Sequence, residues 1–134
     1  MIAAFILVVS TVFLLQFFVT YCRSLIAAYR QVDLSEDARE VTGIEDHIVS
    51  GDDFRRLLQL VWLCPEPRDD RLEIGAVRTY YALLGLVRAI GRSMAATIAP
   101  WVEREREGCS YFAAVALDRR IAHNRDLMAQ QMGT

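Results

Sequence analysis

The chain has 134 residues, 54% of them apolar, with 15 basic and 17 acidic side chains and a formal net charge of −2. Eighteen of the apolar residues fall in the first 22 positions, so the hydrophobic excess is one N-terminal block and the rest has the composition of an ordinary soluble domain. About 100 residues remain beyond that block and its flank, enough for one small core and too few for a multidomain enzyme. The nearly balanced charge excludes a globally basic nucleic-acid binder.

Residues 1–22 carry no charged side chain, and a helix of that length spans roughly 33 Å, the thickness of a hydrocarbon core. The segment therefore predicts a single transmembrane helix. A cleaved secretory signal needs a basic n-region, a shorter apolar stretch and a small-x-small cleavage site, none in recognisable form here. Arg23, Arg30 and Arg39 follow the block, so the positive-inside rule predicts a cytoplasmic body with the N-terminus on the far side. Gln16, Thr20, Arg23, Ala27 and Arg30 fall within roughly 80° of one another on a helical projection. Such a polar stripe suits docking to a partner helix, with Gln16, Thr20 and Arg23 as its contacts. The plainer alternative is that Gln16 snorkels to the headgroups while Thr20 bonds back to its own helix.

Residues 24–31 continue the helix out of the bilayer, which makes 1–31 the span and stalk and 32–134 the helical domain. Ser35 before Glu36 and Asp37 is an N-cap signal for a short helix over 36–41 that stops near Gly43. Ser50 repeats the signal for a helix over 51–63, with Phe54, Leu57, Leu58, Val61 and Trp62 on one face, ended by Pro65 and Pro67. The next helix is predicted from 69 or 70 to 99. Ala76, Tyr80, Leu83, Leu84, Leu86, Val87, Ile90, Met94 and Ile98 form its apolar side, opposite Arg71, Arg78, Arg88 and Arg92. Those arginines argue against a second span. The last helix is predicted over 101–131, with residues 103–108 (EREREG) in solvent and Phe112, Ala113, Ala116, Leu117, Ile121 and Met128 inward. No alternating strand pattern appears, so the expected fold is all-α: a membrane helix followed by a cytoplasmic bundle of three to four helices.

No convergent chemistry accompanies this outline. Cys22, Cys64 and Cys109 form no CxxC pair, as befits free thiols in a reducing compartment. Glu45, Asp46 and His47 are adjacent residues that point in different directions on any regular element, so a solvated loop explains them better than a metal site. Gly51-Asp52-Asp53 reads as a helix start, and Glu66, Asp69, Asp70 and Glu73 as a loop and helix-start cluster. His123 and Asp126 have the spacing of an acid-base pair, but also of an ordinary surface contact. No catalytic, cofactor or metal residue is assigned.

The arginine stripe 71, 78, 88 and 92 is the most organised polar feature, suited to an acidic partner surface or to anionic headgroups. The expected function is thus a non-catalytic, single-pass, membrane-anchored interaction or accessory protein. Its partners are the bilayer and other membrane subunits or a second copy of itself. Two alternatives stand beside it: a bundle holding a small apolar ligand between Tyr80, Tyr81, Trp62 or Trp101, and a small membrane-bound enzyme using His123 with Asp126 or Glu45.

Overall fold

The structure is a computed structural model that describes residues 1–43, 50–64, 71–91 and 95–133, with the side chains of 95 and 96 excepted. Among these, every regular element is helical and no strand occurs. Helix α1 covers Ile2–Arg30, α2 Glu36–Thr42, α3 Phe54–Leu63, α4 Arg71–Ile90 and α5 Ala95–Met132, and a 3-10 turn at Gly51–Asp53 leads into α3.

Local chemistry sets the short elements. Ser35 Oγ accepts the Ala38 N–H at 3.3 Å, satisfying one of the unpaired donors of a helix start. Gly43 ends α2 at φ 69°, a left-handed conformation that favours glycine. Ser50 Oγ accepts the Asp52 N–H at 3.4 Å and opens the 3-10 turn.

Helix α5 is the axis of the bundle, and all the other elements pack on it. Residues 108–117 are buried on every face. Their sequence, GCSYFAAVAL, intersperses small residues with Tyr111, Phe112 and Leu117, so neighbouring backbones approach closely. A Cβ on Gly108 would stand 2.8 Å from Ile26 Cγ2 of α1, closer than any side chain tolerates. Phe54, Leu58, Val61 and Ile74 gather around Phe112, Ala113 and Ala116; burying each large side chain contributes roughly 1.5–3 kcal/mol.

Helix α1 has two parts. It is long and apolar enough to cross a membrane, and its first four turns lie clear of the packed core. Its last two turns belong to the core through Cys22, Ile26 and Tyr29, so the turns expected as a stalk are part of the bundle. Helix α1 runs parallel to α5. Arg23 Nε meets Glu105 Oε1 at 3.5 Å, Ile26 lies over Gly108, the Tyr29 and Phe112 rings are 4.4 Å apart, and Tyr111 donates to the Val32 carbonyl at 2.5 Å. Ser35, at the start of α2, holds both oxygens of Asp118. Helix α4 runs antiparallel to α5: Ile74 lies beside Ala116, Tyr80 donates to Glu105 at 2.8 Å, Arg88 meets Glu103 at 3.3 Å, and Gly91 shares a small recess with Ile98.

The structure corrects three expectations. Helix α4 ends at Ile90 rather than at 99, and α5 begins at Ala95 with Pro100 inside it. Gly91 breaks the helix because glycine is a poor helix former, whereas a proline near a helix start forfeits only one backbone bond. Second, the buried side of α4 is Ile74, Val77, Tyr80 and Leu84, while Leu86, Val87 and Ile90 are exposed, because the last turns of α4 run beyond the core. Third, residues 103–108 are not uniformly solvated: Arg106 is buried and Glu105 is partly enclosed.

Candidate functional site

Helices α3 and α4 diverge over α5 and leave an open groove of about 1060 Å³, lined by Phe54, Leu58, Trp62, Tyr81, Ala82 and Gly85 with Asp52, Arg55, Gln59, Arg78 and Arg106. The 3-10 turn closes one end, and its Gly51 is required there: a Cβ would come within 2.9 Å of Arg106 Cβ. Phe54 and Tyr81 stack at 4.2 Å across the α3–α4 junction.

Arg106 is the floor of the groove, with its side chain 9% exposed. Its Nη2 donates to Asp52 Oδ1 at 3.0 Å and to the Tyr81 hydroxyl at 2.8 Å, and Nη1 donates to Glu103 Oε1 at 3.2 Å. Tyr81 passes its own proton to the Gly51 carbonyl at 2.8 Å. The guanidinium also lies 5.1 Å from the Tyr81 ring centre, within cation-π range. Burial opposes its charge, but the hydrogen bonds to Tyr81 and Asp52 outweigh that cost and hold its pKa above the usual arginine value. Nε is buried with no hydrogen-bond partner among the described residues. Arg106 is therefore a fixed cation, paired with Asp52 and Glu103, and Arg55 and Arg78 add two more at the rim, where Asp52 is the one carboxylate among the described lining residues. The groove presents positive charge beside an aromatic wall, a surface that accepts carboxylates through forked hydrogen bonds and apolar groups through Trp62 and Tyr81.

Behind the groove, Tyr80 is buried on Glu105, and burial followed by that hydrogen bond pushes its phenol far above the ordinary range. Cys109 is fully buried next to them. Its thiol is pushed up to about 12, first by burial and then by the Glu105 carboxylate. Both groups are inert at neutral pH.

The residues singled out in the sequence scatter. Arg78 lines the groove, whereas Arg88 is paired with Glu103 near the α4–α5 junction, and Arg71 is exposed on the first turn of α4. Arg92 lies outside the described residues. Gln16 and Thr20 are exposed on α1, with Thr20 Oγ1 donating to the Gln16 carbonyl at 2.8 Å. That is the self-bonding arrangement weighed as the alternative to docking. Arg23 pairs with Glu105 at 3.5 Å while its own side chain stays 56% exposed. Of the aromatic residues considered for a ligand pocket, Trp62 and Tyr81 line the groove, while Tyr80 and Trp101 do not. His123 and Asp126 are both exposed near the end of α5, and Arg119 is engaged with Tyr29, its guanidinium 4.4 Å from the ring centre. Glu45, Asp46, His47, Glu66, Asp69 and Asp70 lie outside the described residues, and Glu73 accepts from the Tyr29 hydroxyl. Among the described residues, no three of His, Cys, Asp and Glu converge as metal ligands.

Sequence reasoning missed Arg106 and Arg120 as buried cations. A signal was present: Arg120 follows a run of apolar and small residues on a helix with no clean polar face. The chain matches no known protein family, no curated protein and no solved structure.

Proposed function

We propose that the protein is a non-catalytic, single-pass membrane-anchored interaction module, an accessory component of a larger membrane assembly with its helical body in the cytoplasm. The observation that carries this reading is the division of α1. One continuous helix is apolar and uncovered for four turns, then forms part of the bundle core for its last two. A body joined in this way to a span is held at a fixed height, which favours a positioning role over a freely diffusing one. The arginines that follow the span support the cytoplasmic placement. The α3–α4 groove supplies the contact surface, with Arg55, Arg78 and Arg106 matched to an acidic segment of a neighbouring membrane subunit and Trp62 to an apolar side chain within it.

A photo-crosslinking residue at Gln59, in the groove of the full-length membrane-bound protein, is expected to capture a membrane subunit. The same probe at exposed Glu107 should not, and Arg55→Glu with Arg78→Glu should abolish the capture. Recovery from mild detergent as an isolated monomer, with neither probe crosslinking, overturns the reading. The presence of both Trp62 and Tyr81 in the groove lining also favours a second reading, a small amphipathic ligand in place of a protein segment. In that case native mass spectrometry of the purified full chain shows a bound small molecule that Trp62→Ala releases.

A further inference from the structure

The parallel register of α1 and α5 fixes how deep the α4–α5 hairpin reaches. Arg23, just beyond the apolar block, is level with Glu105. Helix α5 begins ten residues earlier, at Ala95, about 15 Å nearer the N-terminal end of α1 at 1.5 Å per residue. The C-terminal end of α4 and the first turns of α5 therefore reach the level of the apolar part of α1, where Phe18 and Val19 pack against the core.

The composition of the hairpin matches that depth. Arg88 and Glu103 pair at 3.3 Å close to the level of Arg23, where headgroups would lie. Below this pair the described residues carry no charge: Ile90 is 72% exposed and Trp101 40%, with Thr97, Ala99 and Pro100 also uncovered. Apolar helix ends bounded by a charge pair, with a tryptophan beside it, are the pattern of a segment seated at a membrane interface.

We infer that the C-terminal end of α4 and the first turns of α5, with Ile90 and Trp101, are inserted into the same lipid leaflet that receives the C-terminal half of the α1 span, making the protein a span with a second, shallow interfacial foot. This rests on the reading of α1 as membrane-spanning. The foot would stop the body from rotating about α1 and so set the direction in which the α3–α4 groove faces.

The two tryptophans allow a direct test. Full-length protein is reconstituted in phosphatidylcholine vesicles whose acyl chains are brominated near the glycerol end, and tryptophan fluorescence is compared with that in unbrominated vesicles. Trp62→Phe leaves Trp101 as the reporter and Trp101→Phe leaves Trp62. Phe13→Trp, in a background lacking both, reports on α1. Quenching of Trp101 is expected to be about threefold or more that of Trp62, as for a residue several ångströms inside the interface, with the Phe13→Trp reporter also quenched. If that reporter is quenched while Trp101 is quenched no more than Trp62, the foot is overturned and the anchor stands. Blue-shifted Trp101 emission without quenching overturns it too, because protein rather than lipid then covers the hairpin. If none of the three is quenched, the anchor reading fails and the foot with it.

Discussion

Arg106 and Arg120 lie about four turns apart on α5, and both are buried, yet they sit in different surroundings. Arg120 is 1% exposed and has main-chain oxygens among its partners: its Nη1 donates to the Val61 carbonyl at 2.7 Å and the Cys64 carbonyl at 3.3 Å. These belong to the C-terminal end of α3, where carbonyls lack helical partners and the helix dipole attracts a cation. Arg106 is held by side chains at the edge of an open groove, one of them Asp52, whose side chain is 81% exposed. The first arginine completes a helix end; the second keeps a positive charge where an incoming group can reach its neighbours.

That contrast predicts unequal costs. Arg120→Ala should lower the unfolding free energy by roughly 3 kcal/mol, because it strands two carbonyls in the interior and leaves a cavity where a long side chain had been. Chemical denaturation of the detergent-solubilised protein measures this. Arg106→Met should cost less, about 1–2 kcal/mol, because the methionine fills part of the space while Asp52 and Glu103 regain water. Equal losses at the two sites would break the comparison. A larger loss at Arg106 would make the groove floor a structural keystone rather than a surface set aside for binding.

The elements that local rules govern were legible in the sequence. The N-caps at Ser35 and Ser50, the stop at Gly43 and the inward Phe54, Leu57 and Val61 of α3 all depend on residues a few positions apart and occur as expected, whereas Trp62, placed on the same face, is 49% exposed. Helix α5 was less legible, for a physical reason. A helix surrounded by neighbours has no polar face to betray its orientation, so Glu103, Arg104, Glu105 and Arg106 read as a solvated repeat. Which of these charges turns inward depends on what the 3-10 turn, α1 and α4 offer: Asp52 and Tyr81 for Arg106, Arg23 and Tyr80 for Glu105. These partners are 25 to 82 positions away in the chain. The groove was legible only as a set of candidate aromatic residues, because its walls come from two helices whose divergence no periodicity encodes.

Alkaline pH should sharpen the contrast with the smallest effect. Cys109 and Tyr80 both lie at the Arg106 end of the bundle, beside Glu105. The Cys109 thiol titrates at about 12 in the folded protein and near 9 in the unfolded chain, so the unfolded state gives up its proton first. The sign follows: the stabilisation is fully present below pH 9 and is lost progressively as pH rises towards 12. At pH 10 the loss from this one group is about 1 kcal/mol, and Tyr80 adds to it in the same direction. Thermal melts at pH 8, 9 and 10 should show a falling midpoint, and Cys109→Ala should flatten the fall while lowering the midpoint at pH 8 by the cost of a small cavity. Because Cys109 and Tyr80 both lie at that end of the bundle, hydrogen exchange at pH 10 should accelerate around residues 80 and 105–109 before it does at the α3 terminus. Uniform acceleration along α5 would mean that the two ends of the helix open as one unit, and that the division drawn from their arginines does not extend to their dynamics.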